Sequence, residues 1–191
     1  MLHEDLYKKV LDRVTERVSQ IKMGDPMDPK SQMGPVNSKR HMDRVNSMIK
    51  SGIDDGAKLM FGGKRPAGKQ FERGYWIEPT VFGDVHPQMK IAREEIFGPV
   101  ISVFSWRDED AIIELANSLE YGLTAAVWTK DIKRAINAAR RVQSGCVWIN
   151  GVGNYFKGTP YGGLKNSGIG KESCLQELLS YTEEKAIQII L

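Results

Sequence analysis

Glu94 and Glu95, followed by Ile96, Phe97, Gly98 and Pro99, are the densest grouping of chemistry-bearing side chains in the chain. Gly98 and Pro99 set a turn, because glycine tolerates unusual φ values and proline locks its own. The run Val100 to Phe104 behind them reads as a buried strand, so acidic and aromatic groups stand at its entrance. On residue type alone, the two carboxylates are also what solvated charges ahead of a strand look like.

Residues 150 to 172 form a second candidate region, with glycines at 151, 153, 158, 162, 163, 168 and 170. Such a backbone can approach a ligand or another element closely. It is not a phosphate loop: Walker A spacing needs a glycine where Lys165 stands and a hydroxyl residue where Glu172 stands. The dinucleotide fingerprint fails at Phe156 and Ser173. Tyr155, Phe156 and Tyr161 would be core aromatics in most proteins, but their glycine-rich setting points to a pocket wall. His3, His41 and His86 have no metal-like spacing with one another or with Cys146 and Cys174, so no metal site is expected. Cys146 opens an apolar strand and Cys174 sits in a helix, which suits buried packing better than nucleophilic chemistry.

The composition sets bounds on what these groups can serve. The 191 residues can bury a sizeable core, and the apolar share of 41% and charged share of 27% are those of a soluble globular protein. The formal charge is +3, and the densest basic group, Lys130, Lys133, Arg134, Arg140 and Arg141, has the spacing of a solvated helix face. A nucleic-acid partner is not expected. Two cysteines and no signal-like opening segment point to a reducing cytoplasm, and no apolar run reaches the ~20 residues of a membrane helix.

The elements that position the two regions can be read from periodicity. Leu6, Val10, Val14, Val18 and Ile21 predict a first helix, and Val45, Met48 and Ile49 a second, with Asn37 or Ser38 as N-cap and Gly52 and Gly56 at its end. Ala57 to Phe61 reads as a short strand, and Tyr75 to Phe82, interrupted by Pro79, as an edge strand or two short ones. Asp108 caps a helix carrying Ile112, Leu115, Ala116 and Leu119, with Gly122 as its stop. Leu123 to Trp128 is a strand, Thr129 or Asp131 starts another helix, and Cys146 to Ile149 is the next strand. Glu172 to Ser180 looks helical, and the apolar end, Ala186 to Leu191, looks like a strand that docks on another chain. Alternating strands and helices with short connections predict an α/β fold, an open and mostly parallel twisted sheet flanked by helices.

From Pro160 to Glu172 the chain resembles the Pro-aromatic-Gly-Gly-x-Lys-x-Ser-Gly-x-Gly-basic-Glu signature of the aldehyde dehydrogenase superfamily. Glu94 to Val100, the Pro79-Thr80-Val81-Phe82 end of the earlier strand, Tyr121-Gly122-Leu123 and Val147-Trp148-Ile149-Asn150 follow in the family's order, so the likeness runs through essentially the whole chain. The resemblance implies residues 1–181 as part of the catalytic domain and 182–191 as a strand toward an oligomerisation region, with homo-oligomers as the state.

The resemblance also implies the activity: attack of a cysteine thiolate on a small-molecule aldehyde, hydride transfer to NAD or NADP, and hydrolysis to a carboxylic acid. Glu95 matches the residue that holds the nicotinamide ribose hydroxyls, a task suited to a bidentate acceptor. Phe97 matches the aromatic beside that ribose, and Tyr155 and Tyr161 fall where the family lines its substrate channel. Phenylalanine is commoner at 161, and the extra hydroxyl bears on substrate choice. His41 and Arg44 lie near a helical position that reaches the cofactor in relatives. The nucleophile, the general base and the oxyanion-hole asparagine lie upstream of the matched segment, and Leu2 to Tyr7 resembles the stretch just after the nucleophile. No catalytic residue is therefore expected here, stable cofactor binding by this chain alone is not expected, and the isolated chain is expected to be inactive. Two alternatives stand beside this reading: a non-catalytic assembly module or relic of the fold, and an acyl-phosphate reductase of related fold, which the two motifs fit less well.

Overall fold

The computed structural model describes all residues from Met1 to Leu191, in two compact units, Met1–Asp108 and Glu109–Leu191. Both are α/β, with parallel strand pairs and flanking helices.

Met1–Asp108 opens with β1 (Leu2–His3) and α1 (Glu4–Ser19). Leu11 and Val18 are the buried positions of α1, joined by the half-buried Tyr7 and Val14, whereas Leu6 is exposed. The inward stripe is therefore rotated from the Leu6-Val10 register that periodicity suggested, because a tyrosine supplies one of its positions. In α2 (Lys39–Asp54), Ser38 is the N-cap and accepts from the His41 amide, and Val45, Met48 and Ile49 are buried. Gly52 does not end α2. It is buried within the helix, where a Cβ would come 2.8 Å from Ile91 Cδ1 and 3.3 Å from Phe82 Cζ, and the chain turns only at Gly56, at φ 91°.

β2 (Lys58–Phe61), β3 (Thr80–Gly83) and β4 (Val100–Ser102) form one sheet in the order β2-β3-β4, antiparallel then parallel. The strand expected at an edge is thus the central one. Pro79 lies just before it, so the missing amide costs the ladder nothing, and Thr80 to Phe82 are shut off from solvent. The Thr80 hydroxyl accepts from Gly63 N–H at 2.9 Å and donates to Glu78 C=O at 2.8 Å, which satisfies a fully buried polar group. Short α3 (Lys90–Arg93) leads into the Glu94 motif, and β5 (Ser105–Trp106) pairs in parallel with β1.

Glu109–Leu191 contains α4 (Glu109–Asn117), β6 (Tyr121–Gly122), β7 (Thr124–Val127), α5 (Ile132–Arg141), β8 (Cys146–Ile149), β9 (Leu164–Lys165) and α6 (Leu175–Ser180). β7 and β8 pair in parallel across α5, and β6 pairs with β9. Ile113 is the buried residue of α4, and Gly122 belongs to β6 rather than to a helix stop. Asp131 caps α5, accepting from the amides of Lys133 and Arg134. Two cations of the basic group are engaged rather than merely solvated. Arg134 grips Glu109 through two nitrogens, and Arg141 pairs with Asp110 at 2.6 Å.

Residues 183–191 hold neither helix nor strand, and Ile187, Ile189, Ile190 and Leu191 are exposed. The strand expected at 186–191 does not form within this chain, because a strand needs a neighbouring backbone to bond and none is supplied here. No helix is long and apolar enough to cross a membrane.

Tyr7 ties α1 to the end of β3. Its hydroxyl donates to Asp84 Oδ1 at 2.9 Å and accepts from the Asp84 amide at 2.5 Å, across a residue held at φ 52°. Burial, with the Asp84 carboxylate beside it, pushes the Tyr7 hydroxyl above the ordinary tyrosine range. A raised folded value means that the neutral hydroxyl contributes stability at pH below about 10, and that this contribution is lost as pH climbs through the folded value. Tyr7→Phe should lower the unfolding free energy by about 1 kcal/mol at neutral pH. The gap between variant and parent should close above about pH 10, as measured by urea unfolding across that range.

Candidate functional site

In Met1–Asp108 the site residues lie on the loop between α3 and β4. Glu94 ends α3 and leans toward Lys90, 3.8 Å away, so it belongs to the helix. Glu95 is exposed, Ile96 is buried, and Phe97 is 67% exposed. The buried isoleucine anchors the loop and leaves the carboxylate and the ring on either side of it in solvent. Phe97 takes φ 57°, a left-handed conformation that costs a non-glycine residue about 1 kcal/mol or more and persists only where its surroundings enforce it.

Three side chains within about one turn of α2 supply that enforcement. Arg44 donates to the main-chain carbonyl of Glu95 at 2.7 Å. The His41 ring bonds the main-chain carbonyl of Phe97 through Nε2, while its Nδ1 faces Asn37 Oδ1 at 2.9 Å. Val45, fully buried, packs on Gly98, where a Cβ would fall 2.6 Å from Val45 Cγ2. Beyond the loop, Thr80 N–H donates to Pro99 C=O at 2.7 Å, and the β3–β4 register begins one residue later. His41 and Arg44, set by resemblance near the cofactor, therefore hold main-chain oxygens and leave the Glu95 and Phe97 side chains free to point outward.

In Glu109–Leu191 the aromatic residues follow the carboxyl end of β8. Tyr155 packs edge-to-face on Trp148, with centroids 5.7 Å apart, and on Tyr161, with centroids 5.0 Å apart. Such contacts contribute roughly 0.5–1.5 kcal/mol each. Tyr155 is 59% exposed, and Phe156 lies outside the stack and is more exposed still. The Trp148 indole donates to Asn154 C=O at 2.9 Å, which pulls the loop back over its own strand. A hydrogen bond with Tyr155 pushes the Tyr161 hydroxyl above its ordinary range, so it is neutral at physiological pH.

Several residues of the sequence motifs build this corner without a functional role having been assigned to them. Asn150 stands at φ 54° just past β8, and its side chain closes two bonds of 2.9 Å on the backbone of Thr129, just past β7. The lysines of the glycine-rich stretch act on carbonyls: Lys165 on Asn117 and Leu119, and Lys171 on Gly162 and Gly163. Of the glycines in this stretch, Gly162 and Gly163 lie against backbone, and Gly145 before it packs most tightly, where a Cβ would lie 1.7 Å from Gly162 O. A Cβ at Gly153, Gly158, Gly168 or Gly170 would meet nothing within 4 Å. Cys146 and Cys174 are both free and half-buried, a more open placement than the buried one expected. No group of His, Cys, Asp and Glu could hold a metal ion.

The aldehyde dehydrogenase family profile matches residues 1–187. The chain belongs to the aldehyde dehydrogenase family. It is 45% identical to an aldehyde dehydrogenase of Talaromyces stipitatus, over 100% of this chain and 38% of that protein. It is 42% identical to a betaine aldehyde dehydrogenase of Brucella anthropi, over 98% of this chain and 39% of that one. Among solved structures, the betaine aldehyde dehydrogenase of Staphylococcus aureus in complex with NAD+ superposes with a TM-score of 0.89 at 38% identity, covering 94% of this chain and 36% of that one. The NAD+ complex of an aldehyde dehydrogenase from Bacillus cereus gives 0.88 at 40% identity, covering 95% and 36%. The chain thus spans under two-fifths of the length of these aldehyde dehydrogenases.

The contact between Gly98 and Val45 yields a test of how the loop is held. Gly98→Ala should cost about 1–3 kcal/mol by overpacking. Adding Val45→Ala should recover part of that loss, so that the double variant is more stable than the sum of the singles predicts. Denaturant unfolding of the four proteins in the cycle measures the coupling.

Proposed function

We propose that this chain supplies the nicotinamide-ribose contacts and part of the substrate channel of an NAD(P)-dependent aldehyde dehydrogenase that oxidises an aldehyde to a carboxylic acid. The observation that carries this reading is the Glu95-Ile96-Phe97 loop: one buried residue between an exposed carboxylate and an exposed ring, with the main chain bonded from behind. That arrangement fits the cofactor. The carboxylate of Glu95 accepts from two neighbouring ribose hydroxyls, and the Phe97 ring covers an apolar face. Bound NAD or NADP supplies the hydride acceptor. The NAD+ complexes among the similar structures support the choice of cofactor.

The aromatic corner of Trp148, Tyr155 and Tyr161 excludes water from one side of a substrate and presents ring faces to it. Its neutral Tyr161 hydroxyl adds a hydrogen-bonding group. Ring faces attract a quaternary ammonium aldehyde by cation–π interaction and accept an apolar aldehyde by burial. The likeness to betaine aldehyde dehydrogenases favours testing the cationic substrate first. By resemblance the thiolate nucleophile and the general base come from the preceding part of the family's sequence. On this reading the chain by itself neither turns over aldehyde nor binds the cofactor stably. The boundary at 181/182, with the apolar tail serving homo-oligomer association, and a cytoplasmic location belong to the same proposal.

A second reading, a non-catalytic assembly module, draws on the exposed apolar tail. The two separate on activity. The 191-residue chain with NAD or NADP and a panel that includes betaine aldehyde should form no reduced cofactor. The polypeptide encoded by its whole reading frame should form it, and Glu95→Gln there should raise the KM for the cofactor roughly ten- to a hundredfold, the loss of hydrogen bonds to a charged acceptor. Turnover by the chain alone would show that the chemistry lies elsewhere in it. An inactive whole-frame product would favour the assembly module.

A further inference from the structure

We propose that His41 and Arg44 are positioning residues for the cofactor-facing loop: they set where the Glu95 carboxylate and the Phe97 ring point by gripping the two main-chain carbonyls between them. The proposal rests on the reading of that loop given above. Its basis is geometric. Arg44 bonds the Glu95 carbonyl and His41 bonds the Phe97 carbonyl, so the two grips bracket the buried Ile96. Each acts on the backbone of a residue whose side chain is exposed. Three residues along α2, they lie on one face of that helix.

The His41 ring is itself oriented. A carbonyl oxygen only accepts, so the bond to Phe97 requires a proton on Nε2. On the other side of the ring, Nδ1 stands 2.9 Å from Asn37 Oδ1, so the Asn37 side chain fixes the ring's orientation. Asn37 lies immediately before Ser38, whose side chain caps α2, so the orienting group and the helix start are one short segment. Two carbonyl bonds and the Val45 contact on Gly98 hold Phe97 in the left-handed conformation it would otherwise leave. Truncating His41 or Arg44 frees the loop by removing its main-chain grips.

The test has two arms. In the 15N-labelled 191-residue chain, long-range proton–nitrogen correlation should show His41 with its proton on Nε2. His41→Ala and Arg44→Met should each shift the amide signals of residues 95 to 98 while leaving those of β3 in place. In the whole-frame polypeptide each variant should raise the KM for NAD about tenfold with kcat within about twofold, as a misplaced contact does. Arg44→Lys, which keeps one donor, should recover part of the loss. Unchanged amide signals at 95 to 98, a His41 ring with no proton on Nε2, or lower thermal stability with unchanged KM would overturn the proposal. A whole-frame product inactive with NAD would instead count against the proposed function, and the labelled chain would still decide the positioning role.

Discussion

Burial of β3 on both faces is the constraint from which the rest of Met1–Asp108 follows. Thr80, Val81 and Phe82 are shut off from solvent, so shifting the strand by one residue would exchange its faces and strand the Thr80 hydroxyl away from its two backbone partners. That register sets β4, since the pairing of Thr80 with Val100 starts as soon as the Gly98-Pro99 turn is complete. One end of the Glu95 loop is therefore fixed by the sheet and the other by α2. The loop's exposed chemistry is positioned by bonds to its main chain and by buried Val45, as a site requires if its own side chains are to stay free.

Glu109–Leu191 meets the same requirement with polar bridges. Asn150 joins the ends of β7 and β8 by bonding both main-chain groups of Thr129, and Lys165 takes carbonyls that α4 leaves unpaired at its end. The ammonium groups of Lys165 and Lys171 are thus spent on the chain's own oxygens. Glycine follows the same logic, for at Gly145 and Gly163 it lets one strand of backbone pass within contact of another. Ligand approach is not the reason for those two.

Much of this was legible beforehand, and the failures share a cause. Ser38, Asp131 and the strands around 58–61, 124–127 and 146–149 were readable because capping and β-runs are local. Gly52 and Gly122 were misread as helix stops because glycine also serves close packing, and only tertiary neighbours distinguish the two uses. Pro79 argued for an edge strand, yet a proline one residue before a strand removes no ladder bond. Glu95, Phe97, Tyr155 and Tyr161 came from likeness to a family; nothing in their spacing distinguishes Glu95 from Glu94. The structure makes that distinction physical, since one carboxylate leans on Lys90 and the other flanks a buried isoleucine. Trp148 and Asn150 stood in the sequence as part of a family motif, but the bonds they make depend on the loop after them folding back.

The two units differ in how they are stabilised, and the difference bears on how the aromatic corner works. Met1–Asp108 buries many apolar side chains, among them Leu11, Val45, Val81, Phe82 and Phe104, whereas in Glu109–Leu191 the buried hydrophobic residues are Ile113 and Ala135. Large apolar side chains of the second unit, among them Trp128, Phe156, Leu175, Leu178 and Tyr181, face solvent. At ~25 cal/mol per Å², such a unit gains little from its own burial. The loop's lysine and asparagine bridges, rather than a buried core, hold the corner's edge-to-face rings in place.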